Sequence, residues 1–202
     1  MKVDYNELRS IYGSEERSDE WFIFKFILNT GTSQFMKLKY LTTNPVQTKN
    51  LGEILAKEIL TPHHFLKKGE TCKNRMKSGG GQKKALVIGL EGDLGGGKTT
   101  FLQGLAKGLG IKEKILSPSF VLIKKFGIPH RFFQFFYHLD CYRIEKPKEI
   151  LDLGFKEIIS NPQNIIAIEW ADRIKKIIPK GTIWISFEFV DKNKRKIMIK
   201  PR

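Results

Sequence analysis

The sequence predicts a three-layer α/β domain with a central, mostly parallel sheet and a C-terminal β-hairpin. Three observations carry this reading. Ala85-Leu86-Val87-Ile88-Gly89-Leu90 is an unbroken apolar run, the pattern of a strand buried on both faces. A glycine-rich loop follows it directly, and Thr99–Leu109 then carries Phe101, Leu102, Leu105 and Leu109 at helical spacing. Further apolar strand candidates recur as far as Ile199, interleaved with helical segments.

The elements follow in order. Residues 1–36 form an acidic N-terminal extension (Glu7, Glu15, Glu16, Asp19, Glu20) of no assignable role, within which Trp21–Phe26 is a strand candidate. The domain itself spans 37–202, and Met36–Leu41 suits its first short strand. Leu51, Ile54, Leu55 and Ile59 recur at spacings of three and four, so Gln47–Leu60 reads as an amphipathic helix. From Thr61 to Lys84 runs a basic insertion. Lys67, Lys68, Lys73, Arg75, Lys77, Lys83 and Lys84 face the single acid Glu70, and Ser78-Gly79-Gly80-Gly81 favours a flexible loop. The helix after the glycine loop is closed by Gly110. Strands are expected at Phe120–Phe126, Phe132–Leu139, Ile165–Glu169, Thr182–Phe189 and Arg195–Ile199. The last two form a hairpin through Val190–Lys194, and helices are expected at Lys148–Leu153 and Ala171–Ile178.

Composition narrows the classes. With 202 residues, 41% hydrophobic and 28% charged, the chain has the balance of an ordinary globular domain. No stretch approaches the roughly 20 apolar residues that cross a bilayer. The N-terminus has no basic region followed by an apolar one, so a cytoplasmic location with no membrane partner is expected. Cys72 and Cys141 are the only cysteines and supply neither a zinc cluster nor a disulfide framework. The pair His63-His64 lies in a polar, basic stretch and reads as solvated rather than as a metal site. The net charge of +15 points to an acidic partner, nucleic acid first, or to a lysine-rich, well-solvated surface.

The chemistry centres on Gly92-Asp93-Leu94-Gly95-Gly96-Gly97-Lys98-Thr99, which matches GxxxxGK[ST] in full. A buried strand before it and a helix after it complete the context of a P-loop NTPase fold. Glycines let successive amides approach phosphate oxygens, and the helix that follows turns its positive end to the same anion. Lys98 suits the β and γ phosphates of a nucleotide, and the Thr99 hydroxyl suits Mg²⁺. A P-loop also needs a second acid. Two candidates stand at strand ends: Glu169 after Ile165-Ile166-Ala167-Ile168, and Asp140 after the aromatic run that ends in His138-Leu139. No Asn-Lys-x-Asp guanine reader occurs downstream, which favours ATP.

The ordered series Gly92–Thr100, Ser117-Pro118-Ser119-Phe120, His138-Leu139-Asp140-Cys141-Tyr142-Arg143 and Glu169-Trp170 resembles the TsaE (YjeE) family. That family is the P-loop ATPase of bacterial tRNA N6-threonylcarbamoyladenosine (t6A37) synthesis. The likeness runs from about Leu38 to Ile199, interrupted by the insertion, and Thr48-Lys49-Asn50-Leu51-Gly52 is similar to the family's first helix. The resemblance implies that ATP is bound by Thr48, Leu94, Gly95, Gly96, Gly97, Lys98, Thr99 and Thr100. It implies that Thr99 and Glu169 hold Mg²⁺, and that Lys98, Asp140 and Glu169 serve catalysis, Asp140 at the metal or attacking water. Arg143 would support that loop by ion pairing. Ser117–Phe120 resembles a nucleotide-sensing switch, with Ser119 where the family usually has Thr. The implied partners are TsaB- and TsaD-type subunits of the threonylcarbamoyl-transferase complex, with tRNA contact indirect or weak. His138 is expected to make a structural hydrogen bond, and Trp170 is either a rim aromatic or a nucleotide contact.

Two other classes compete with an ATPase acting through partners. A small-molecule kinase also uses a P-loop, yet the insertion holds only Arg75 where an arginine-rich lid is expected. A nucleic-acid-binding module fits the charge, but no aromatic interleaves the lysines after Phe65, so base stacking is not suggested.

Overall fold

A computed structural model describes residues 38–61, 84–116 and 122–200. The N-terminal extension with Trp21–Phe26, most of the basic insertion with Cys72 and His63-His64, and the Ser117–Phe120 segment lie outside the described residues.

Seven strands form one sheet: β1 (Leu38–Thr42), β2 (Leu86–Gly92), β3 (Ile123–Gly127), β4 (Phe135–Asp140), β5 (Asn164–Glu169), β6 (Ile183–Phe189) and β7 (Arg195–Lys200). Their spatial order is β1-β7-β6-β2-β5-β4-β3. The central run β6-β2-β5-β4 is parallel, while β1/β7, β6/β7 and β3/β4 pair antiparallel. The expected hairpin is therefore β6–β7, and it lies beside the strand that feeds the glycine loop.

Alternation along the two inner strands sorts the core into two layers. Ile88 and Leu90 of β2, with Ile165 and Ala167 of β5, pack towards α1 (Pro45–Leu60) and α2 (Lys98–Gly108). Val87, Ile166 and Ile168 face the other side, where α3 (Pro147–Asp152), α4 (Phe155–Ser160) and the 3₁₀ segment Ala171–Ile177 cover them. Helices on both faces make the three layers.

Helix α1 starts where Asn44 Oδ1 accepts a hydrogen bond from the Gln47 amide at 2.9 Å, with Pro45 in the first turn. It lies unusually close to α2. A Cβ on Gly104 would stand 1.8 Å from the Lys49 carbonyl oxygen, and one on Gly52 would stand 2.2 Å from that of Phe101. Glycine is required there by the neighbouring backbone. Glu53 ties the pair from outside, 2.7 Å from Lys107 and 2.8 Å from Lys57.

Two local expectations differ. Helix α4 was not anticipated, because Leu153-Gly154 splits the region into two helices of 6 residues each, too short to show periodicity. The segment after Trp170 is 3₁₀ rather than α-helical, with a break at Ile174 (φ −116°). Gly110 does follow α2 with φ +80°, as expected of a helix-terminating glycine.

Candidate functional site

Strand β2 delivers the chain into the loop at its carboxyl end, where ligands of open α/β sheets gather. The loop is built by close approach. A Cβ on Gly92 (φ +118°) would stand 1.9 Å from the Phe187 carbonyl oxygen, so β6 leaves room only for glycine. Gly95 and Gly97 take φ of +71° and +99°, the left-handed region that glycine reaches without strain. The side chain of Leu94 is 74% exposed, so its backbone is what it offers a ligand. Thr100 is half-buried in the first turn of α2.

Lys98 is buried and folded back on the loop. Its Nζ donates to the carbonyls of Gly92 and Asp93, each at 2.7 Å, and lies 3.7 Å from the centre of the Trp170 ring. Burial lowers its pKa below the ordinary 10.5, against the opposing pull of Glu169, Asp172, Asp93 and Asp140.

The Thr99 hydroxyl donates to Glu169 Oε1 at 3.0 Å and Oε2 at 2.8 Å. Glu169 is 2% exposed, and its Oε1 also lies 2.9 Å from His138 Nε2. A carboxylate only accepts, so His138 donates from Nε2, which answers the expectation of a structural hydrogen bond. Asp140 pairs in register with Glu169 on the neighbouring parallel strand and accepts from the Tyr142 amide at 2.9 Å. Thus both sequence-predicted acids stand side by side at the strand ends. Arg143 is exposed in the turn that follows Asp140. Burial pushes the neighbouring Cys141 thiol up to about 12, so it stays protonated.

Trp170 adopts φ +57°, the one left-handed non-glycine residue among those described, and it sits 5.0 Å from the Tyr142 ring. Half-buried and packed against the core, it stands as an aromatic at the rim, with Lys98 over its ring. Thr48 lies beneath the loop: its methyl would be 3.5 Å from a Cβ on Gly97, and its hydroxyl shares a 2.9 Å hydrogen bond with Thr42.

Sequence reasoning expected the β6–β7 hairpin but gave it no place at the site. The Asp93 amide donates to the Phe187 carbonyl at 3.2 Å, and the Phe189 amide donates to Asp93 Oδ2 at 3.1 Å. Arg195 Nε donates to the Gly95 carbonyl at 2.8 Å. Arg195 is 100 residues from Gly95, and no local pattern marks such a contact.

The sequence model described as "Threonylcarbamoyl adenosine biosynthesis protein TsaE" matches residues 42–197, across strand β2, the loop and both acids. The chain belongs to the TsaE family. Its TsaE relatives include the "tRNA threonylcarbamoyladenosine biosynthesis protein TsaE" of Bacillus subtilis, 34% identical over 80% of this chain and 84% of the relative. The protein of that name from Nostoc is 44% identical over 57% of this chain and 70% of the relative. Among solved structures, YdiB of Bacillus subtilis superposes with a TM-score of 0.59 at 28% identity, covering 84% of this chain and 88% of that one. The TsaE family places this chain in tRNA threonylcarbamoyladenosine biosynthesis. Among the described residues, no helix is long and apolar enough to cross a membrane.

Among the described residues, no three His, Cys, Asp or Glu side chains cluster as a metal cage. Mg²⁺ typically keeps several waters and binds through one or two carboxylates together with substrate phosphates. Thr99 and the buried Glu169, converging beside the loop, fit that mode and would need a phosphate to complete it.

Proposed function

We propose that this chain is an ATP-binding, slowly hydrolysing ATPase that supports t6A37 modification of tRNA in the cytoplasm through TsaB- and TsaD-type partner proteins. The convergence of Thr99 and Glu169 behind Lys98 carries the reading. It joins a hydroxyl, a buried carboxylate and a phosphate-loop lysine in a chain of the TsaE family.

The loop amides from Leu94 to Thr99, with Thr100 at the start of α2, bind the β and γ phosphates, and Thr48 supports the loop from below. Lys98 exchanges its two loop carbonyls for phosphate oxygens. Thr99 and Glu169 would hold Mg²⁺, which would supply charge neutralisation at the phosphates. Asp140 orients a water towards the γ-phosphorus and accepts its proton. A new oxygen–phosphorus bond forms as the bond to the bridging oxygen breaks, releasing ADP and phosphate. His138 keeps Glu169 in place throughout. The uptake and loss of the γ-phosphate is the signal passed to partner subunits, and tRNA is met indirectly or weakly.

The test measures Mg²⁺-dependent ATP binding and phosphate release by the purified chain, beside tRNA t6A content in cells carrying Lys98→Ala. The reading expects ATP binding in vitro and loss of t6A in vivo. Unchanged t6A would overturn it, and label passed from ATP to a metabolite would favour a small-molecule kinase instead.

A further inference from the structure

The sheet ends at β3, which pairs with β4 alone among the described strands and leaves its outer edge open. From Lys114 to Leu139 the chain carries Lys114, Lys124, Lys125 and Arg131 and not one Asp or Glu. This edge is therefore positive, with no acid of its own segment to offset it.

Aromatic rings stand among these cations. Phe135 and Tyr137 alternate on one face of β4, both half-buried, and the exposed Lys125 of β3 is paired opposite Tyr137. The Lys125 Nζ lies 3.6 Å from the centre of the Phe135 ring and 5.8 Å from that of Tyr137. In the turn between the strands, the Arg131 guanidinium lies 4.5 Å from the centre of the half-buried Phe132 ring. That turn is held in shape. The Ile128 amide donates to the Gln134 carbonyl at 2.8 Å, and the Phe132 amide donates to His130 Nδ1 at 3.4 Å. His130 stacks on the buried Phe133, with ring centres 6.0 Å apart. Burial lowers the His130 pKa below the ordinary 6.5, which keeps Nδ1 an acceptor at neutral pH.

An edge lysine by itself discourages strand pairing, but that role needs no aromatic ring beneath the cation. Cations beside half-buried rings are the two parts with which proteins hold single-stranded nucleic acid: charge for the phosphates, π faces for unstacked bases. An acidic polypeptide would use the charge and leave the rings idle. The TsaE family works in the biosynthesis of a modified tRNA, and the loops of an RNA present such bases. We propose that the β3–β4 edge binds a single-stranded loop of tRNA, with Lys125 and Arg131 at its phosphates and Phe132 and Phe135 stacked on its bases. A base on Phe135 takes the place of the lysine tip, whose flexible four-carbon stem lets it move to a phosphate. Phe135 and Asp140 lie at opposite ends of β4, roughly 17 Å apart at the rise of a strand, so the tRNA and the ligand of the glycine loop are held apart. The inference rests on the tRNA part of the function proposed above, makes that contact direct, and needs no ATP.

The experiment titrates the full chain with an unmodified tRNA transcript, a fully paired RNA duplex and polyglutamate, at several salt concentrations. The variants are Lys125→Gln, Arg131→Gln, Phe132→Leu and Phe135→Leu, with ATP affinity read on each as a check on folding. Wild type is expected to bind tRNA more tightly than either control. Each Phe variant should weaken tRNA about tenfold, the scale of a lost base–aromatic stack, with the salt dependence unchanged. Lys125→Gln and Arg131→Gln should each flatten the slope of log affinity against log salt by about 0.7, one phosphate contact on a single strand. All four should bind ATP as wild type does. Wild type that fails to bind tRNA, or binds polyglutamate as tightly, overturns the inference. So does tRNA binding that no variant weakens, or Phe variants that weaken the duplex equally. Lys125 is exposed, so Lys125→Gln decides even where a Phe variant fails to fold. Loss of ATP binding in wild type would sink the ATP reading and leave this one standing.

Discussion

The Thr99 hydroxyl and the Glu169 carboxylate meet at 2.8 and 3.0 Å although 70 residues separate them in the chain. One comes from the first turn of the helix after the loop, the other from the last position of the adjacent parallel strand. In the function proposed above, their meeting gives the glycine loop a place for a cation. Removing the charge and keeping the shape isolates that role. Glu169→Gln is expected to lower Mg²⁺-dependent hydrolysis by at least about 100-fold, the upper end of what loss of an outer partner alone does. Metal-free nucleotide binding should survive. Titrating hydrolysis against Mg²⁺ checks it, and an unaltered Mg²⁺ dependence would remove Glu169 from the metal.

His138 is fully buried and reaches the same carboxylate from the other side. Its Nδ1 has no hydrogen-bond partner among the described residues, so Glu169 is the polar contact that explains it. His138→Ala should reduce turnover by about 10- to 100-fold while changing ATP affinity little, the usual reach of a residue that orients a metal ligand. His138→Gln, which keeps a donor, should recover part of the loss. Separate measurement of kcat and KM decides; equal loss in both parameters would speak for a general packing defect.

The contact between α1 and α2 is set by missing side chains. Gly104→Ala would press a methyl into the Lys49 carbonyl oxygen, an atom of backbone that no rotamer change can move aside. We expect a loss of about 3 kcal/mol or more, at or beyond the upper end of ordinary overpacking. Chemical denaturation measures it. The α2 shift should weaken nucleotide binding too, because α2 carries Lys98 and Thr99.

Glu53 gives the same helix pair a pH dependence. Its hydrogen bond to Lys107, then that to Lys57, lowers its pKa below the ordinary 4.5. A carboxylate depressed by folding adds stability that is fully present above 4.5 and lost as pH falls through the lowered folded value. Both lysines are largely exposed, so solvent screening keeps the gain near 0.5 kcal/mol. Glu53→Gln should therefore be slightly less stable than wild type at neutral pH, with the gap closing in acid. A gap that persists in acid would assign the loss to packing instead.

The sequence by itself determined the parts that are contiguous. The run Ala85–Leu90, the loop Gly92–Thr99 and the helix after it are local signals, because strand burial, left-handed turns and helical spacing each leave their period in a few neighbouring residues. The acids Asp140 and Glu169 were also legible, since each ends an apolar strand, and adjacent parallel strands bring their carboxyl ends together. Order along the chain carries less. Only the tertiary structure decided that β6 lies against β2, so that Phe187 demands glycine at position 92 and Arg195 reaches Gly95. It likewise decided that Trp170 covers Lys98 and that His138 serves Glu169. Hydrogen bonds and ring contacts at such separations depend on which strands are neighbours. Strand order follows from burying both faces of the whole sheet at once, and no single segment encodes it.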